Sequence, residues 1–203
     1  MDSERAHRQL RLIAETVQTA EALGAEVWLR GGWAMDFFLG AVSRDHEDID
    51  WFAWADDATA LTGALLLHGW RSVPGPPPEW QLDFVKDGLE SSLTLVNRDG
   101  AGRVVVAGGP WAGTPWPEGM LEAEPRCVAG VRCAIVSPQV QIEIKRMMPV
   151  WDASRPRRLK DAEDIARLEA ALRVRERRSE QGRGNRPGRS LPHRGAPVQG
   201  DAS

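Results

Sequence analysis

The chain has 203 residues, 42% of them hydrophobic, and a formal net charge of −3. That content suits one sizeable core or two small ones. No apolar run of about 18 residues is present to span a bilayer, the opening MDSERAHRQLRLIAE lacks the basic start and apolar centre of a signal peptide, and two cysteines are too few for a disulfide framework. The expectation is a cytoplasmic protein without membrane contact.

In chain order, Leu10, Ile13, Ala14, Val17, Ala20 and Leu23 recur at helical spacing. They predict a helix over residues 3–23, with Ser3 as N-cap and Gly24 as stop. Residues 25–30 read as a strand. Gly31-Gly32 then permits a tight turn that exposes backbone N–H groups at the start of a helix over 32–39, a ready anion site. Arg44 and His46 follow, both able to face phosphate oxygens. A strand over 47–54 comes next, and on it Asp48 and Asp50 project from one face while Ile49 points into the core. Paired carboxylates repel unless a divalent cation neutralises them, and hard oxygen ligands with open positions suit magnesium bound to substrate phosphates. The bland alternative is a solvated acidic edge strand. Trp51, Phe52 and Trp54, just after the pair, argue instead for burial within a domain.

Gly31-Gly32-Trp33-Ala34-Met35-Asp36, Gly40, Arg44-Asp45-His46 and Asp48-Ile49-Asp50 stand in this order. The stretch 28–54 thereby resembles the aminoglycoside and lincosamide nucleotidyltransferases of the DNA polymerase β-like superfamily. The resemblance implies an α/β (α+β) nucleotidyltransferase fold, a mixed β-sheet with flanking helices and a small C-terminal lobe. It also implies Mg2+ held by the aspartates, a nucleoside triphosphate such as ATP, and attack of a small-molecule hydroxyl on the α-phosphorus with loss of pyrophosphate.

Asp56 or Asp57 can cap the next helix, which runs to about His68 and ends at Gly69. A short strand near 70–73 precedes PGPPPEW, too proline-rich for helix or inner strand. Trp80 to Lys86 and Leu89 to Val96 flank Asp87-Gly88, the strongest short-range hairpin signal. In the resembled family a third metal-binding carboxylate lies on the second strand of such a hairpin; here that slot falls at Ser91 or Ser92. A two-residue turn pairs Lys86 with Leu89 and so sets Asp83 opposite Ser92 on one face. Asp83 is therefore the first choice for a third carboxylate in the catalytic and metal set with Asp48 and Asp50. Glu90 is the second.

Residues 98–119 form a Gly-, Pro- and Trp-rich loop with one short strand at 104–107, where Trp111 and Trp116 are candidates for stacking on substrate. Glu118, Glu122 and Glu124 could attract ammonium groups, or simply be a solvated face. Residues 120–136 alternate like paired strands turning at Ala129-Gly130. Ser137-Pro138 opens a helix to about Met148. It carries Lys145, which the resemblance places against nucleotide phosphates; Pro149 and Pro156 bracket a linker. A last helix over 157–173 includes Lys160, read as structural, with Asp161 and Asp164. From Ser179 the chain is rich in Gly, Pro and Arg and low in apolar residues, predicting disorder. The expected units are 1–119 catalytic, 120–178 a small lobe with helices, and 179–203 a tail.

The nucleotide site would comprise Gly31, Gly32, Arg44, His46 and Lys145, and the substrate site Trp111 and Trp116. The expected activity is transfer of AMP from ATP to a hydroxyl of an aminoglycoside or lincosamide-like antibiotic. Two alternatives stand beside it: a nucleotide-binding module without turnover, favoured by Ser91-Ser92, and a toxin-like enzyme acting on protein or RNA. The tail's arginines lack interleaved aromatics, so nucleic acid is not the expected partner. Whether two chains form a homodimer stays open.

Overall fold

A computed structural model describes residues 3–152, 156 and 158–184, with side chains to 178. The first helix, α1 (Ser3–Leu23), buries Leu10, Leu12, Ile13 and Ala20 along one stripe. Strand β1 (Val27–Arg30) leads directly into α2 (Gly31–Leu39), whose Trp33, Ala34, Met35, Phe37 and Phe38 are all buried. Gly40 ends α2 with φ 84°, a left-handed cap that only glycine adopts without strain. Strand β2 (Asp48–Trp54) follows, then a 3₁₀ turn at Ala55–Asp57 and α3 (Ala58–Leu67). Asp57 occupies the N-cap position of α3, yet its side chain makes no capping hydrogen bond.

Strands β3 (Arg71–Ser72), β4 (Gln81–Lys86), β5 (Leu89–Arg98) and β6 (Val104–Val106) complete a mixed six-stranded sheet. Its order is β1-β2-β5-β4-β3, with β6 on β5. The β2–β5 pair is parallel and the remaining pairs antiparallel. Asp87 and Gly88 both take positive φ, so the two-residue turn sets the register expected from sequence, Lys86 with Leu89 and Asp83 with Ser92.

Between 120 and 136 only a short hairpin forms, β7 (Arg126–Val128) and β8 (Val131–Cys133), turning at Ala129 and Gly130 with positive φ. Helix α4 (Pro138–Trp151) begins where expected, Ser137 Oγ accepting from the Val140 amide at 3.3 Å. It does not stop at Pro149, which lies inside it. Helix α5 (Leu159–Gly184) likewise continues past Ser179, into the stretch expected to be disordered. Residues 185–203, the remainder of that tail, lie outside the described residues.

Alternation along the strands divides the sheet's contacts into two layers. On one face Leu29, Ile49, Trp51, Leu93 and Leu95 form the main core with α1, α2 and α3. Val128, Cys133, Ile135, Ile142 and Leu168 join that same cluster, so the hairpin, α4 and α5 share the main core instead of building one of their own. On the other face Trp28, Phe52 and Val96 pack with Met120, Val136 and Val140. No described helix is long and apolar enough to cross a membrane.

Candidate active site

The second face changes character along the strands. Its apolar half is the smaller cluster around Phe52; its polar half is a row of register partners, Arg30 on β1, Asp50 on β2, Ser92 on β5 and Asp83 on β4. One step along, Asp48 partners Glu90. The sheet therefore brings Asp48, Asp50 and Glu90 to one edge of the same face.

Above this face lies a cleft of about 420 Å³, lined by Arg30, Gly31, Asp50, Phe52, Trp116 and residues of α4 and the start of α5. Gly31 is required here twice over. Its φ is 66°, and a Cβ would sit 2.9 Å from Asp50 Oδ2. Gly32 is required by what lies behind it, since a Cβ would meet His46 Nδ1 at 2.4 Å and Arg44 Nη2 at 2.8 Å. The Gly-Gly pair thus lets one strand end be clasped between the acidic pair and the Arg44–His46 segment.

Among the described residues neither Asp48 nor Asp50 forms an ion pair with a protein cation. Partial desolvation, then the charges of Asp50 and Glu47, hold the Asp48 carboxyl above its usual range. The charges of Lys160 and Arg30 offset this only in part, and a pair of hard oxygen donors left with excess negative charge fits a divalent cation such as Mg2+, which is commonly held by one or two carboxylates and completed by water and substrate phosphates. A closed protein cage is not built: among the described residues no three His, Cys, Asp or Glu side chains converge on a metal position. The structure does not bring Asp83 to the pair. It stands two strands from Asp50, about 10 Å at strand spacing; one oxygen accepts from Gln81 Nε2 at 2.8 Å, and the other packs against Gly75. Glu90, the second choice from sequence, is the carboxylate in register with Asp48.

The remaining expected residues divide sharply. His46 is 4% exposed, its Nε2 lying 2.6 Å from Asp36 Oδ2 and its backbone carbonyl accepting from Arg5 and Gln9. Arg44 bonds through Nη2 to Asp164 Oδ2 at 3.1 Å. Lys145 lines the cleft, but its ammonium lies 2.9 Å from Asp164 and 3.3 Å from Asp161. These groups form one polar chain, Asp36–His46–Arg44–Asp164–Lys145–Asp161–Arg158, that ties α2 and its following loop to α4 and α5. Burial alone would push Asp161 and Asp164 up; their hydrogen bonds and charges from Arg158, Lys145 and Arg44 outweigh it and hold both below the usual carboxylate range. So Arg44 and His46 brace the cleft's wall, a role that sequence could not assign because Asp164 is remote in the chain.

Trp116 lines the cleft and stacks edge-on against Phe52, centroids 5.1 Å apart. Trp111 is 48% exposed and outside the cleft lining. Arg30 was not singled out by its sequence context; its alternation with Trp28 on a strand leading to Gly31 was the available signal. Cys133 is buried, which pushes its thiol up to about 12, an unreactive value.

The sequence profile of the aminoglycoside-2''-adenylyltransferase family matches residues 12–82. A 2''-aminoglycoside nucleotidyltransferase of Klebsiella pneumoniae is 43% identical over 42 residues, 21% of this chain and 24% of that protein. A second from Escherichia coli matches to the same extent. The alignable stretch thus spans about a quarter of these curated relatives' length. Two solved structures share the fold far more widely. ANT(2'')-Ia in complex with adenylyl-2''-tobramycin superposes with TM-score 0.66 and 19% identity, covering 87% of this chain and 99% of that one. The lincomycin-bound lincosamide adenylyltransferase LnuA gives TM-score 0.61 and 16% identity over 84% and 98%. The chain has the nucleotidyltransferase fold seen in these two structures, and over residues 12–82 it is similar in sequence to the aminoglycoside-2''-adenylyltransferase family.

Proposed function

We propose that the protein transfers a nucleoside monophosphate, AMP from ATP, to a hydroxyl of an aminoglycoside antibiotic, releasing pyrophosphate. The observation that carries this reading is the Asp48–Asp50 pair, in no ion pair among the described residues, with Asp50 lining the cleft beside the Gly31 turn. Asp48 and Asp50 would hold Mg2+, and that ion, when bound, supplies neutralisation of charge on the phosphate under attack. The first turn of α2 directs its backbone N–H groups, which no capping side chain satisfies, to the triphosphate. Phe52 and Trp116 offer flat apolar surface to a base or sugar ring. Glu90, in register with Asp48, would accept the proton of the attacking hydroxyl or pair with an ammonium of the drug.

The family match over residues 12–82 and the fold favour an aminoglycoside, with a lincosamide as the related substrate. Ser92, where a third carboxylate would complete the acidic row, favours a second reading, a module that binds nucleotide without turnover. One experiment separates them. Pyrophosphate release from ATP and Mg2+ is followed across a panel of aminoglycosides and lincosamides, with Asp50→Asn alongside. Drug-dependent release that falls about a hundredfold or more in the variant supports transfer. Nucleotide binding with no release for any drug establishes the binding module.

A further inference from the structure

Among the described residues three cations line the cleft, Arg30, Lys145 and Arg158. Two of them are committed within the protein, Lys145 to Asp161 and Asp164, and Arg158 to Asp161 at 2.9 Å. Arg30 differs. Although its register partner on β2 is Asp50, it forms no ion pair among the described residues. Its guanidinium lies over the Phe52 ring, 4.9 Å from the centroid, and donates from Nη1 to Thr94 Oγ1 at 2.7 Å. One of five N–H donors is used, and the fork is fixed in place by two neighbours that carry no charge.

A half-buried guanidinium held rigid by uncharged neighbours, near the acidic pair but bonded to neither carboxylate, keeps its remaining donors for an anion brought from outside. A planar fork fits phosphate oxygens two at a time. Its location specifies which anion: Arg30 is the N-cap residue of α2, beside backbone N–H groups at a positive helix end, and one strand from Asp50. We propose that Arg30 is a built-in phosphate clamp that binds the nucleoside triphosphate's phosphate chain in this cleft without requiring a divalent cation. The assignment rests on the nucleotidyl-transfer reading of the cleft and names a binding residue within it. It also offsets the missing acid at Ser92. With one carboxylate fewer in the row and one fixed cation added, part of the phosphate charge is neutralised by the protein itself.

The test is calorimetric titration of the full chain with inorganic tripolyphosphate, ATP and adenosine, each in excess EDTA. Native protein should bind tripolyphosphate and ATP. Arg30→Met, which keeps an apolar stem over Phe52, should weaken both by about tenfold or more and leave adenosine unchanged. Arg30→Lys should fall between, since it keeps charge and loses the fork. Arg30→Gln serves in place of Arg30→Met if the latter lowers Tm. Native-like tripolyphosphate affinity in the uncharged variants, or no metal-free binding by the native chain, would overturn the assignment. If drug-dependent pyrophosphate release persists in that case, the transfer reading stands without Arg30. Loss of polyphosphate binding on substituting Arg30, with no drug supporting release, would leave Arg30 as a phosphate-binding residue and sink the transfer reading alone.

Discussion

Asp50 on β2 and Ser92 on β5 are register partners on adjacent parallel strands, so a hydroxyl stands beside the acidic pair where a further carboxylate would fit. Neighbouring strands lie roughly 4.8 Å apart. Ser92→Asp therefore adds a third oxygen ligand within reach of an ion held by Asp48 and Asp50. Mn2+ binding measured by calorimetry without nucleotide should tighten by about tenfold. An unchanged affinity would show that the row does not hold the ion.

Asp48 gives a stability prediction of opposite sign to most substitutions. Its folded-state pKa is raised, chiefly by desolvation and then by Asp50 and Glu47, so at neutral pH its charge disfavours folding, and its contribution improves as pH falls through the raised value. Asp48→Asn should raise Tm at pH 7 while weakening Mg2+ binding. The Tm advantage should vanish in acid, where the native side chain is protonated. Thermal unfolding at both pH values, without metal, checks this.

The Asp164 carboxylate, 2% exposed at its side chain, is shared by Arg44 and Lys145. Asp164→Ala leaves those cations facing each other with less compensation, and urea unfolding should show a loss of about 3 kcal/mol. For both Asp161 and Asp164 the folded pKa is depressed. Their stabilisation is thus complete above the ordinary carboxylate value near 3.8 and is lost as pH falls through the lower folded values. The acid limb of unfolding should be shallower in Asp164→Ala than in the native chain.

Gly32→Ala tests the clasp around the strand end. The added methyl overlaps His46 and Arg44, which must move and disturb the bonds to Asp36 and Asp164. The expected cost is about 1–3 kcal/mol of stability, typical of overpacking. Nucleotide affinity should fall with it, measured by tryptophan fluorescence. A variant as stable as the native chain would show that the His46–Arg44 packing is loose.

Much of the frame was legible in the chain because it depends on near neighbours. Strand alternation put Asp48 and Asp50 on one face, and the Asp87-Gly88 turn set Asp83 opposite Ser92. The Ser137-Pro138 start of α4 follows from capping chemistry alone. Helix ends were less legible: the sequence suggested that α4 stops near Met148 before Pro149 and that the last helix stops at Arg173, and both α4 and α5 run on. Ile142 and Leu168 anchor the middle of each helix in the main core, and once a helix is nucleated each further residue adds a hydrogen bond at little cost.

What the sequence by itself determined is the placement of donors along single strands and across one tight turn, since period-two alternation and turn geometry are local. Only the tertiary structure decided which charges are spent and which are left for a ligand. Asp164 reaches Arg44 across 120 positions of chain, and docking of α5 on α4 removes Lys145 from the pool of unpaired cations. Among the described residues, the same packing leaves Arg30, a residue without a distinctive motif, as the cleft cation that forms no ion pair. Charge pairing falls off within a few ångströms of contact, so it is fixed by where helices dock and not by the order in which residues are written.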